Sequence, residues 1–86
     1  VPQVELLGLA QRYAGTASAT CSGGTLGEAL RDLAAQFPSF AARCAAGELL
    51  PAGLIVCINE RRFSLDPAAT LSETDRLLIL SADVGG

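Results

Sequence analysis

The chain closes on Gly85-Gly86, preceded by the apolar run Leu77-Leu78-Ile79-Leu80 and the stretch Ser81-Ala82-Asp83-Val84. A main-chain carboxylate carried on two residues without side chains can be threaded into a narrow active site on another protein. Glycine tolerates backbone geometries closed to other residues and lets a partner's backbone approach closely. The segment from Ser81 to Gly86 extends at most about 20 Å, enough to carry a carboxylate away from a folded body. A Gly-Gly end is also what an incidental, frayed terminus looks like. The dipeptide alone leaves both readings open.

Other chemistry-bearing residues are few. The chain has no His, so the commonest general acid and base is missing. All six cations are Arg, which leaves no lysine amine for Schiff-base chemistry or for accepting an isopeptide bond. No metal-ligand spacing, nucleophile–base pair or phosphate-binding glycine motif is present, and Gly23-Gly24 is too little for a phosphate loop. The pattern points to a protein acted upon, not to an enzyme. Cys21, Cys44 and Cys57 include no C-x-x-C pair, and an odd number cannot close a disulfide framework. They are expected to serve as small packing groups in a reducing cytosol.

Charge and hydropathy narrow the class further. A formal charge of -3 argues against gripping a phosphate backbone, which needs clustered cations. Arg61-Arg62 is the one cationic pair and reads as a solvated hairpin end. The longest nearly apolar stretch, Leu49 to Ile58, is interrupted by Pro51 and Gly53 and is too short for a membrane span. Val1-Pro2-Gln3-Val4-Glu5 lacks the positive region and apolar core of a signal peptide. Nucleic acid and membrane are therefore not expected partners, and the expected location is cytoplasmic. A chain of 86 residues, half of them hydrophobic, is one small domain that buries about 60–65% of its unfolded surface.

The elements that must position the Gly-Gly end can be read in order. Val4-Glu5-Leu6-Leu7 predicts a strand in a sheet interior. Leu9 to Ala14 predicts a helical turn closed by Gly15, and Ser18 to Cys21 a weaker strand broken by Gly23-Gly24. Thr25-Leu26-Gly27-Glu28 matches a capping box, after which Leu26, Ala29, Leu30, Leu33 and Phe37 form one apolar stripe of the main helix. Pro38 ends that helix. Ser39 to Ala46 predicts a short second helix with Ser39 as cap. Leu54 to Ile58 predicts a buried strand, Asn59-Glu60-Arg61 a turn, and Arg62 to Leu65 a short strand. Asp66-Pro67 and Leu71 to Asp75 are connecting turns, and Arg76 to Leu80 is the last strand.

The result is an α+β fold, a mixed sheet of about five strands on one main helix. Residues 1–80 are the domain and 81–86 a flexible tail. In the last strand Leu77 and Ile79 share one face while Leu78 and Leu80 share the other, and in the Leu54 to Ile58 strand Ile55 and Cys57 share one face while Val56 and Ile58 share the other. One helix covers only one face, so either the short helix and loops cover the second or part of it stays exposed as a partner surface. Phe63, Leu78 and Leu80 are the expected contacts there.

The ordered set resembles the ubiquitin-like, β-grasp sulfur carriers of the ThiS and MoaD families. The residues that carry the likeness are Leu7-Gly8-Leu9 through Tyr13-Ala14-Gly15, then Gly24-Thr25-Leu26-Gly27-Glu28-Ala29-Leu30 with Leu33 and Phe37-Pro38. Val56-Cys57-Ile58-Asn59, Leu71, Asp75, Leu77 and Gly85-Gly86 complete it. Two positions depart: Glu60 stands where the family often has glycine, and Ser81-Ala82 where molybdopterin synthase small subunits commonly have prolines. The resemblance implies that a ubiquitin-activating-type adenylyltransferase spends ATP to convert the Gly86 carboxylate to an acyl-adenylate. A persulfide fed by a cysteine desulfurase then leaves a thiocarboxylate on Gly86. An acceptor such as the large subunit of molybdopterin synthase takes that sulfur. No cofactor is implied on the chain itself. The same resemblance admits a carrier for cysteine, thiamin or secondary-metabolite biosynthesis, or a ubiquitin-like protein modifier. Gly85 and Gly86 are the implied reacting end, with Asp83 and Val84 as implied tail contacts to a partner. From a different class, a β-grasp interaction module with an incidental Gly-Gly also fits the residues.

Overall fold

Alternation sets the first strand: Val4 and Leu6 are buried while Gln3 and Glu5 face solvent along β1 (Gln3–Leu6). The computed structural model describes residues 1–81. After β1 come α1 (Leu9–Ala14), β2 (Ser18–Thr20), α2 (Leu26–Gln36), α3 (Pro38–Ala41), β3 (Leu54–Ile58), β4 (Arg62–Phe63) and β5 (Arg76–Ser81). The strands form one five-stranded sheet in the order β2-β1-β5-β3-β4. β1 and β5 run parallel and the other neighbours antiparallel. This is the α+β arrangement expected from the sequence.

The capping box forms and fixes where α2 starts. The Glu28 amide donates to Thr25 Oγ1 at 3.2 Å, and Glu28 Oε1 accepts from the Gly24 amide at 2.8 Å. The carboxylate thus reaches one residue upstream of the cap itself. Two further first-turn amides, Leu26 and Gly27, donate to the carbonyls of Ala69 and Pro67 at 2.8 and 2.9 Å. An incoming loop supplies acceptors that the helix cannot supply to itself. A Cβ on Gly27 would lie 3.0 Å from Pro67 Cβ and 3.1 Å from its carbonyl oxygen, so glycine lets the loop close on the helix.

The stripe Leu26, Ala29, Leu30 and Leu33 is buried, joined by Phe40 from α3 and by Ala10 and Ala14 from α1. These meet Val4, Leu6, Leu54, Val56, Ile58, Leu77 and Ile79 from the inner face of the sheet. Phe37 is only partly buried, packed at the margin of that core. All three helices contribute to this one cluster, so the short helices do not cover the second face.

Three local expectations are corrected. α3 begins at Pro38 and spans four residues, because proline's fixed φ suits a first helical turn. Ser39 is consequently inside the helix, and its hydroxyl donates to the Tyr13 carbonyl instead of capping. β4 stops at Phe63, not Leu65; the Ser64 hydroxyl and Asp66 carboxylate bond to amides of the following turn, which draws the chain away from the sheet. β5 continues to Ser81, which pairs with Leu54, one residue into the segment read as tail.

The β3–β4 hairpin carries, among the described residues, the two non-glycine residues with positive φ. Asn59 and Glu60 have φ of 55° and 57°, and the Arg61 amide donates to the Ile58 carbonyl at 3.1 Å. Two successive positive-φ residues define the mirror-image turn that matches strand twist, where glycine is favoured at the second position. Asn59 is well suited and is further pinned, accepting from the Arg76 amide at 2.9 Å and donating to Asp75 at 3.0 Å. Glu60 is not suited. Glu60→Gly is expected to stabilise the domain by about 0.5–1 kcal/mol, relief of left-handed strain outweighing the added unfolded-state entropy. A urea midpoint equal to or below that of the parent chain would contradict this.

Candidate functional site

Strand register determines what the outer sheet face presents. Pairing places Glu5 beside Leu78, Leu78 beside Cys57, and Cys57 beside Phe63. On the β2 side Glu5 pairs with Ser18. One row across the sheet therefore reads Ser18, Glu5, Leu78, Cys57, Phe63, and the row above it sets Leu80 beside Ile55. The row below holds Thr20, Gln3 and Arg76.

The outer face is thus divided. Its β2–β1 half is polar, with Glu5 and Arg76 paired at 2.8 Å in an exposed salt bridge. Its β5–β3–β4 half is apolar, built from Leu78, Leu80, Ile55, Cys57 and Phe63. Phe63 is 65% exposed, while Ile55, Leu78 and Leu80 are half-buried. Among the described residues no helix lies over them. Cys57 is 7% exposed and stands apart from the inner core cluster; its cross-strand neighbours shield it, not the helices.

The structure brings together Phe63, Leu78 and Leu80, the three outer-face residues expected from the sequence. Ile55 and Cys57 were missed as members of the same patch. The alternation of the Leu54 to Ile58 run placed them together on one side, but which side required the register with β5. Asp83, Val84, Gly85 and Gly86 lie outside the described residues. The segment that carries them continues from β5, which sits between β1 and β3 at the middle of the sheet.

Burial, reinforced by the nearby Asp32 carboxylate, pushes the Cys21 thiol up to about 11. Burial and then Glu48 also raise that of Cys44. Both are held as thiols at neutral pH, and the thiolate is the nucleophile. Among the described residues no group of three His, Cys, Asp or Glu side chains could hold a metal ion. No helix among them is long and apolar enough to cross a membrane.

A mixed sheet with parallel central strands, a capped helix across one face and an open second face defines the ubiquitin-like β-grasp fold. Comparison with solved structures agrees. The chain is similar to small archaeal modifier protein 1 (SAMP1) from Methanosarcina acetivorans, at 22% identity and a TM-score of 0.78 over 99% of this chain and 95% of that one. It is similar to a chain in the Amycolatopsis orientalis BexX/CysO complex, at 24% identity and a TM-score of 0.79, with all of both chains covered. It is also similar to CysO of Mycobacterium tuberculosis, described as an antigen, at 24% identity and a TM-score of 0.73 over 95% and 99% of the two chains. No protein-family model and no curated protein sequence matches the chain. The likenesses establish the fold.

Proposed function

We propose that this chain is a sulfur carrier, activated at the carboxylate of Gly86 and docked to its partners through the apolar half of the outer sheet face. The observation that carries the reading is a juxtaposition. A glycine-ended segment continues from the strand whose own outward side chains, Leu78 and Leu80, belong to an uncovered apolar patch. The likeness to a chain determined in the BexX/CysO complex, complete over both chains, supports a protein that works in contact with others.

The chemistry belongs to those partners. An adenylating enzyme aligns the carboxylate with ATP; a carboxylate oxygen attacks the α-phosphorus and pyrophosphate leaves. A persulfide sulfur on the donor protein then attacks the acyl carbon and AMP departs, giving an acyl disulfide. A second donor thiolate attacks the donor's own sulfur in that bond, forming a disulfide on the donor and releasing the thiocarboxylate. Gly85-Gly86 contributes minimal bulk at the attacking end, and the absence of His and Lys costs nothing because no proton transfer is assigned to this chain. Asp83 and the carboxylate add negative charge that draws the segment toward cations lining a nucleotide pocket. Acceptors that fit are the large subunit of molybdopterin synthase and enzymes that build cysteine, thiamin or a secondary metabolite.

A second reading is favoured by one observation, the likeness to small archaeal modifier protein 1: the activated carboxylate is transferred to an amine of another protein. With no lysine of its own, the chain could not extend itself through side-chain amines. Intact mass after incubation with ATP, an adenylating enzyme and a sulfide source separates the readings. Replacement of one oxygen by sulfur on the Gly86 peptide is the expected result. Attachment to a lysine-bearing protein without a thiocarboxylate would favour the modifier, and no change with any activating enzyme would refute both. In the same assay Phe63→Asp is expected to raise KM about tenfold or more by placing a charge in an apolar contact, with no loss of Tm.

A further inference from the structure

A second surface is unlike the rest of this acidic chain. α1 and α3 pack together, with the Ser39 hydroxyl bonded to the Tyr13 carbonyl. Between them lies a cleft of about 490 Å³ lined by Leu9, Arg12, Tyr13, Ser39 and Arg43. Its lining holds two guanidinium groups and no carboxylate. Among the described residues neither arginine has an ion-pair partner, the one salt bridge being Arg76 with Glu5. Arg43 is nevertheless fixed in place, its guanidinium carbon 4.6 Å from the centroid of the Tyr13 ring. A cation held over an aromatic face keeps its outward N–H donors free for a planar anion.

The cleft also has a meaningful position. β1 runs parallel to β5, and the Leu7 amide donates to the Ile79 carbonyl at 3.0 Å. α1 therefore starts at the end of the sheet where β5 finishes, and it packs against β5. A protein that contacts the Ser81 end of β5 meets α1 at the same end of the sheet.

We propose that the Arg12–Arg43 cleft is a second docking point, receiving a carboxylate-bearing segment of the protein that activates the chain; this rests on the carrier reading above. Two exposed arginines on a chain of formal charge -3 are too few for the run of phosphate contacts that nucleic-acid binding requires. They suit one or two carboxylates, each matching a guanidinium fork. They stand on helices packed against the inner side of the sheet, so the two contacts lie on different sides of the domain and together orient the encounter, with charge steering the approach and the outer face supplying the hold.

Tyr13 is the chain's one tyrosine and there is no tryptophan, so tyrosine emission reports directly on this cleft. Titration with hexaglutamate at low ionic strength, where screening is weak, is expected to change that emission saturably. Added salt and the double substitution Arg12→Gln/Arg43→Gln are each expected to abolish the response. No response, an equal response in the double variant, or a response to tripolyphosphate but not to hexaglutamate would overturn the proposal. With the adenylating enzyme, the double variant is expected to show KM about three- to tenfold higher at unchanged kcat, the scale of two exposed charge contacts. Wild-type chain that is activated while the variant keeps the same KM would sink the docking point and leave the carrier reading standing. Wild-type chain that is never activated would sink the carrier reading, and the hexaglutamate titration would still decide whether the cleft binds carboxylates. Equal Tm values for the two chains confirm that folding is not the variable.

Discussion

Removal of Gly86 is expected to abolish thiocarboxylate formation and leave the thermal unfolding midpoint unchanged. Truncation leaves a carboxylate on Gly85, chemically identical but one residue short, a displacement of about 3.5 Å along an extended chain. In-line attack on a phosphorus atom demands near-contact alignment, and an error of about 1 Å already costs about a hundredfold. Stability is expected to be untouched because, among the described residues, the buried hydrophobic core lies between Val4 and Ile79. Intact mass after activation, alongside calorimetry, reads both quantities. Sulfur loading of the truncated chain would end the carrier hypothesis. A fall of several degrees in Tm would show instead that the residue belongs to the folded structure.

The second large effect concerns the scaffold. Leu33→Ala is expected to cost about 2–5 kcal/mol, the usual range for emptying a buried leucine site. Leu33 is 0% exposed and lies on the α2 face that meets the inner sheet. A domain of this size holds roughly 4–13 kcal/mol in all, at about 0.05–0.15 kcal/mol per residue. One methyl-branched side chain therefore controls a large share of it. Arg31, two positions earlier and exposed, is the control: Arg31→Ala is expected to stay within about 0.5 kcal/mol of the parent. Chemical denaturation measures both, and a neutral Leu33→Ala would mean that the inner face of α2 is misassigned.

These two predictions differ in where their warrant lies. The Leu33 stripe was legible in the sequence because residues three and four apart share a helix face whatever surrounds them. The same holds for the Thr25–Glu28 cap and for the turn at Asn59-Glu60, since their bonds join residues at most four apart. Ser39 was misread by the same local logic. Its hydroxyl suits a cap, but its partner is the Tyr13 carbonyl, 26 residues away, and proline had already claimed the start of the helix.

The outer face shows the limit most clearly. Alternation alone determined that Leu78 and Leu80 share a side, that Ile55 and Cys57 share a side, and that one helix cannot cover both faces of a sheet. Whether those pairs fall on the same side depends on how β3 meets β5, whose partners, from Ile58–Leu77 to Leu54–Ser81, are 19 to 27 residues apart in the chain. A slip of one residue in that pairing would turn one set inward. Tertiary structure decided it by the bonds from Leu54–Ser81 to Ile58–Leu77, and likewise decided that Arg12 and Arg43 face one cleft. By itself the sequence determined the Gly85-Gly86 pair, the missing His and Lys, and each element's own apolar face, because these are properties of single residues and near neighbours. The assembly of those faces into one apolar patch and one cationic cleft required the long-range pairing, whose energy is realised only when the whole sheet is in register.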